Sequence, residues 1–377
     1  MNEIYRHLKS LYRWARLRPA ELLRVIGRKS LRLGGPVGFY GLLENPHELT
    51  LVLAGQESRP VKPDCLRIKC GHRQHSRQPW PIFWKKISPA RLVGKSLAVL
   101  NNQKKLMLES VYGQEYGPED PSYNYLSLPP ATHLGGSWTS MISRWCQADS
   151  QNYYHWMMDA LPRLALLDSF PSDTGILTVD RLNSFQRETL EILNIVDRCR
   201  PTPEAHLVLE NYYHSSFTTM TGCDNPYAIQ FLRNKFLAAA SAITPAPEKI
   251  YITRLGSLRG VHEEEKMIAI LEKEGWTIIQ AQNYSFRNQI ALFSNARAIC
   301  AIHGAGLTNL LWCQKGCKVL EICPANRLNG CYEGIAAYLD LDYRYMIFEA
   351  DAKYRPKIDL KAFTSAIKAL DHDPVVR

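Results

Sequence analysis

At 377 residues, with 46% hydrophobic and 22% charged side chains, the chain has an ordinary α/β composition and length enough for two domains. The net charge of +10 is concentrated: residues 1–33 carry nine basic residues against two acidic ones, a local +7, and the remainder is near neutral. This argues against nucleic acid as a partner, since no second basic cluster interleaved with aromatics follows, and no run of 18 apolar residues exists to span a membrane.

Residues 1–33 form a basic amphipathic segment. Ile4, Leu8, Leu11, Tyr12 and Ala15 share a helical face, and Leu22, Leu23, Val25 and Ile26 continue the apolar content past Pro19. Two readings stand: contact with an anionic membrane surface, or a solvated helix packed on the protein. The N-terminus lacks the apolar core and cleavage site of a signal peptide, so the expected location is cytoplasmic, peripheral on the inner face of the membrane if the segment binds lipid. Ten cysteines then read as reduced, buried thiols.

Residues 34–150 are the least regular third. Stretches 92–100 and 105–110 flank Asn101, Asn102 and Gln103 as the arms of a hairpin. Cys65, Cys70, His72 and His75 have zinc-like composition, but ligands this crowded rarely close a tetrahedron without a longer loop, and no metal is expected. From Ser137 the pattern becomes regular. A strand at 138–145 leads to Asn152 as an N-cap and a helix over 153–169 kinked at Pro162, which has no N–H for the Met158 carbonyl. Strand 175–180, helix 184–194, strand 206–213 and helix 226–242 follow. Thr244, Pro245, Ala246 and Pro247 then break the chain, dividing an acceptor-side domain at 34–244 from a C-terminal domain at 245–377.

Past that break, strands 249–254, 276–280, 297–303, 317–323 and 343–349 alternate with helices 261–274, 285–296, 305–313 and 330–339, and a last helix covers 359–370. This alternation means a parallel, right-handed, doubly wound sheet, with its ligand crevice beyond the carboxyl ends where strand order reverses. Arg254, His303 and Glu321 fall at that edge. For Arg254 and His303 to meet one ligand their strands must be neighbours. That predicts 249–254 beside 297–303, 317–323 on the far side of the latter, and 276–280 flanking 249–254.

The turn His303, Gly304, Ala305, Gly306 joins a strand to a helix. Its small residues admit close approach, and the helix's first N–H groups and dipole favour an anion. Gly304 and Gly306 are equally readable as packing glycines. Glu321, one strand on, can accept from two sugar hydroxyls, and the set fits a nucleoside diphosphate. Arg254 and Arg259 can clamp a diphosphate, the plainer alternative being surface pairs with Glu263, Glu264 or Glu265. His155 and Asp159, four apart, can supply a general base: imidazole oriented by carboxylate, or the carboxylate acting directly. The plain reading there is an Asp159–Arg163 surface pair on a helix whose Trp156, Leu164 and Leu167 fill the core. Asp340 and Asp342 resemble a metal-binding DxD, but they precede strand 343–349 and so sit at the sheet's amino edge.

Read together, NYYHWMMDALPRL at 152–164, YITR at 251–254 with Arg259, SFRNQIALFSNARAICAIHGAGLTNLLW at 285–312 and KVLEI at 318–322 resemble glycosyltransferase family 61. The resemblance implies a GT-B architecture of two Rossmann-like domains facing a cleft, donor on the C-terminal one and acceptor on the N-terminal one. It implies an inverting, metal-independent transfer from a nucleotide-sugar, typically a UDP-sugar, to a glycan or lipid-linked acceptor, in a bacterial capsular or exopolysaccharide-type member. The implied residues are His155 and Asp159 for catalysis, Asn152 and Arg163 on the acceptor side, and Arg254, Arg259, Gln289, His303, Gly304, Ala305, Gly306, Asn309 and Glu321 for the donor. One departure is visible: where the family often shows Arg-x-Asn-Glu, this chain has Gly260, Val261, His262 and Glu263. Two other readings compete. A non-catalytic glycan-binding or assembly protein would keep the fold and lose the base. An NAD(P)-dependent oxidoreductase needs a G-x-G-x-x-G that residues 254–260 do not supply.

Overall fold

Two sheets carry the chain, each following its own sequence pattern. The structure, a computed structural model, describes residues 50–53, 66, 82–100, 107, 110, 130–142, 152–219, 225–243, 245–257 and 259–372. The basic segment 1–33, the cysteine–histidine cluster at 65–75 and most of the expected arm at 105–110 lie outside those residues.

The first sheet contains β1 (Thr50–Leu53), β2 (Ile82–Ile87), β3 (Ala90–Val93), β4 (Ala98–Leu100), β5 (Thr132–Ser140), β6 (Gly175–Thr178), β7 (Cys199–Pro201) and β8 (His206–Ser215). Its order is β1-β2-β8-β5-β6-β7, with β3 also on β8 and β4 on β3. Strands β8, β5, β6 and β7 run parallel, whereas β1 to β4 add antiparallel arms. Two expectations are corrected here. Residues 92–100 are not one arm of a hairpin but a hairpin in themselves, because Gly94 and Leu97 take the left-handed region at φ 73° and 53° and turn β3 into β4. The strand expected at 138–145 begins earlier, at Thr132, and ends at Ser140.

The second sheet is wholly parallel: β9 (Lys249–Ile252), β10 (Thr277–Ile279), β11 (Ala298–Ile302), β12 (Lys318–Pro324) and β13 (Asp342–Phe348). Its order, β10-β9-β11-β12-β13, gives every neighbour expected from the sequence. The order reverses between β9 and β11, so the switch point lies where Arg254 and His303 leave their strands. Alternation assigns the faces. Tyr251, Cys300, Ile302, Leu320 and Ile322 pack on helices Glu264–Lys273 and Leu360–His372. Ile250, Ile252, Ile299, Ala301 and Val319 face helices Phe286–Asn295 and Cys331–Tyr338. That second face shares one apolar cluster with Trp156, Leu161, Leu190 and Phe236, so both sheets rest on a common core.

Two helices differ in kind from expectation. Residues Ala305–Trp312 form a 3-10 helix, not an α-helix. Three residues per turn align Gly306, Asn309 and Trp312 in one row. That row is hydrogen-bonded along its length: Asn309 Nδ2 donates to the Gly306 carbonyl at 3.2 Å, and Trp312 Nε1 donates to Asn309 Oδ1 at 3.1 Å. The segment 153–169 is helical throughout but changes gauge, with an α turn at Tyr153–His155, a π turn at Trp156–Ala160 and a 3-10 stretch at Leu161–Ser169. Pro162 explains the change: the Met158 carbonyl, deprived of its N–H partner, accepts from Thr219 Oγ1 at 2.5 Å.

Candidate active site

The 153–169 helix begins on Asn152, whose side chain accepts from the His155 N–H at 3.4 Å. His155 Nδ1 lies 2.5 Å from Asp159 Oδ2. Asp159 is fully buried and His155 is 14% exposed, so the carboxylate stands behind the imidazole. Asp159 Oδ1 also receives Thr219 Oγ1 at 3.1 Å. A buried carboxylate is tolerable only with such partners, since removing one from water unpaired costs several kcal/mol. With Nδ1 on the carboxylate, Nε2 is the ring nitrogen turned away from it.

The second cluster stands on the second sheet. Arg254 Nη1 donates to the His303 carbonyl at 2.6 Å and its Nε to Ser257 Oγ at 3.4 Å. The guanidinium lies against Gly304, where an added Cβ would meet Nη1 at 2.5 Å. Gly304 is thus a packing glycine of a particular kind: its missing side chain makes room for an arginine. Gly306 does pack, since a Cβ there would come within 3.1 Å of Ile252. Gly304, Ala305 and Gly306 are half-buried, at a helix start whose first amides have no intrahelical acceptor.

The Arg254 backbone is fixed by Glu264, whose Oε1 accepts from its N–H at 2.8 Å, from Thr253 Oγ1 at 2.8 Å and from Tyr251 Oη at 2.9 Å. The surface pair considered from the sequence is thus a buried clamp on the main chain. Burial first, then the charge of Arg259, lowers the Arg254 pKa, which places the two guanidiniums in each other's field. Both also oppose the rise that burial imposes on the Tyr332 hydroxyl.

Glu321 corrects an expectation. It is fully buried, His303 Nδ1 sits 2.5 Å from its Oε1, and the Tyr343 hydroxyl donates to its Oε2. Fully buried and with both oxygens bonded to side chains, it faces His303 and Tyr343 rather than the surface, a position from which it orients His303. Alternation puts Ala301, His303, Glu321 and Tyr343 on one face, which is why they converge. Gln289, Asn309 and Arg163 likewise serve from behind. Asn309, fully buried, accepts from Tyr153 Oη at 2.8 Å and donates to Gln289 Oε1 at 2.8 Å. Gln289 Nε2 donates to the Tyr284 carbonyl at 3.1 Å. Arg163, 3% exposed, donates to the Ile142 and Ser215 carbonyls at 2.8 and 2.9 Å and stacks over Phe217 at 4.6 Å. It is a core brace, so the acceptor-side position expected of it falls away.

Aromatic rings bring the two clusters together. His155 meets Tyr154 at 5.3 Å, Tyr154 meets Tyr332 at 5.8 Å, and Tyr332 meets His303 at 5.3 Å between centroids. The imidazoles can be no farther apart than those three steps end to end. Tyr154, Tyr332, Tyr343 and Thr219 were not singled out from the sequence, and Glu264 was named only as a surface partner. Only Tyr343 had a usable signal, through the parallel register that carries it beside β12. The position where a side chain is forced into the left-handed region is Glu263, at φ 55°, rather than His262. Asparagine is at home in that region, and Glu264, next in the chain, is the buried carboxylate. His262 instead pairs with Asp351 at 3.1 Å.

The fold is a mixed α/β one whose second, parallel sheet carries Arg254 and the 304–306 turn at its switch point, the edge at which such sheets receive ligands. Residues 153–320, which include His155, Asp159, Arg254 and the 303–306 turn but not Glu321, match the family model described as Glycosyltransferase 61. Over this segment, a little under half of its length, the chain is similar to that family. It is also similar to the EGF domain-specific O-linked N-acetylglucosamine transferase of Drosophila melanogaster, with 28% identity over 124 residues, 30% of this chain and 24% of that protein. The chain thus spans about a quarter of the length of the curated relative it matches. No helix among the described residues is long and apolar enough to cross a membrane.

Proposed function

We propose that the protein is an inverting glycosyltransferase of GT-B type that moves a sugar from a nucleotide-sugar, a UDP-sugar by preference, to a hydroxyl of a glycan or lipid-linked saccharide in bacterial polysaccharide synthesis. The observation that carries this reading is the meeting of the His155–Asp159 pair with the Arg254–Gly304–His303 wall through Tyr154 and Tyr332. Asp159 is too buried to touch an acceptor and holds the Nδ1 proton of His155, so Nε2 is the base. It takes the proton of the acceptor hydroxyl as that oxygen forms its bond to the anomeric carbon. The bond from that carbon to the diphosphate breaks, and the diphosphate leaves with the electron pair. Arg254, Arg259 and the amides of Gly304, Ala305 and Gly306 stabilise that charge. Two guanidiniums supply the charge that a divalent cation supplies elsewhere, which supports a metal-independent step. Residues 1–33 would hold the enzyme at the anionic inner face of the membrane, near a lipid-linked acceptor.

The test is a thermal-shift panel of UDP, GDP, CMP and NAD with and without EDTA, followed by UDP release from UDP-sugars. A UDP shift insensitive to EDTA is expected. His155→Ala should cut turnover about 10²- to 10⁴-fold while leaving UDP affinity unchanged. A response to NAD alone, or full turnover in the variant, would overturn the assignment.

A further inference from the structure

Two imidazoles in this site are held in the same way. His303, like His155, has its Nδ1 2.5 Å from a fully buried carboxylate oxygen, and Glu321 is itself anchored by the Tyr343 hydroxyl. One base suffices for deprotonating an acceptor, so the second pair needs its own account. A histidine required only to offer a neutral donor does not need a buried carboxylate, which is costly to bury and whose effect is to favour imidazolium.

Charged groups reach His303 from several elements. Glu321 holds its Nδ1 and is itself held by Tyr343, Arg254 is bonded to the His303 carbonyl, and Arg259 lies in the field of Arg254. Tyr332, packed on the ring, is kept protonated by burial, and Glu333 adds a negative charge near Tyr343. A diphosphate arriving on those guanidiniums would add negative charge beside the ring, which favours a proton there.

We propose that His303, oriented by Glu321 and Tyr343, takes up a proton when the donor's diphosphate binds and gives it to the departing diphosphate oxygen. This rests on the glycosyl-transfer reading above. As the bond from the anomeric carbon to that oxygen breaks, its electron pair stays on the oxygen and the Nε2 proton of His303 moves to it. His303 is left neutral. His155 has meanwhile gained the acceptor's proton, so the net movement is one proton from acceptor to nucleotide, and solvent exchange resets both rings.

The test is calorimetric titration of the full chain with UDP at neutral pH in buffers of different ionisation enthalpy. Proton uptake in the wild type should exceed that of His303→Asn by up to one per site; taking the difference removes the ionisation of UDP itself. His155→Asn should keep the wild-type value. Uptake should fall in Glu321→Gln and rise or hold in Tyr343→Phe, the milder change if loss of the buried carboxylate unfolds the chain. His303→Asn should also lose about 10²-fold in turnover, chiefly on the alkaline side, where the wild-type acid would still carry its proton. Equal uptake in wild type and His303→Asn would overturn the proposal while leaving the transfer reading intact. Absence of UDP binding would instead sink the transfer reading.

Discussion

Gly304 offers the sharpest perturbation, because its hydrogen holds a space that an arginine fills. An alanine methyl would lie 2.5 Å from Arg254 Nη1 and 3.2 Å from Cζ, closer than real contacts allow, so the guanidinium must move. The backbone need not: φ at Gly304 is 171°, extended and open to any residue. What is lost is the 2.6 Å bond to the His303 carbonyl, and with it the pose that meets the diphosphate. A hydrogen bond to a charged group contributes about 1.5–3 kcal/mol. If the displaced guanidinium also forfeits one such charged bond to the diphosphate, then at 1.4 kcal/mol per decade Gly304→Ala should weaken UDP binding about 10- to 150-fold, and loss of the His303 contact should lower the melting temperature as well. Isothermal titration on wild type, Gly304→Ala, Arg254→Ala and the double variant closes the cycle. If the glycine exists to seat the arginine, the double variant binds no worse than Arg254→Ala alone. Wild-type affinity in Gly304→Ala, or two losses that simply add, would refute the reasoning.

Asn309→Ala should destabilise the protein by about 2–6 kcal/mol, since the Tyr153 hydroxyl and Trp312 Nε1 become buried donors without an acceptor at about 1–3 kcal/mol each. A urea titration finding less than about 1 kcal/mol would contradict that role. Glu263→Asn should stabilise by about 0.5–1 kcal/mol by suiting the left-handed backbone, its exposed pairing with Lys266 being worth little. Glu263→Ala, which loses the same pair without easing the backbone, should show no such gain in melting temperature. Burial pushes the Cys199 thiol up to about 12, so iodoacetamide at pH 8 should label it far more slowly in folded than in urea-unfolded protein. The sign follows for stability: folding favours the neutral thiol, so that contribution is complete below the unfolded thiol's pKa and is lost as pH climbs towards 12.

The second sheet was legible almost strand for strand because a parallel sheet buried on both faces writes its strands as short apolar runs between amphipathic helices. Even its neighbour order followed, since one ligand cannot be gripped by Arg254 and His303 unless their strands adjoin. The first sheet mixes parallel and antiparallel pairing, and its turns, such as Gly94 to Leu97, interrupt apolar runs that read through them. The candidate site divides along a different line. Residues that reach solvent, His155, Arg254 and the 303–306 turn, could be named because their chemistry is unusual at a strand or helix end. The groups that set their behaviour are buried and lie far off in the chain. Glu321 sits 18 residues from His303 and Tyr343 another 22 on, while Thr219 reaches Asp159 across 60. A glutamate inside the apolar run KVLEI looks like a ligand-facing residue when the partners that neutralise its burial are unseen. Once they are seen, each of the two imidazoles has a buried carboxylate behind it, an arrangement that the sequence suggested only for His155 and Asp159.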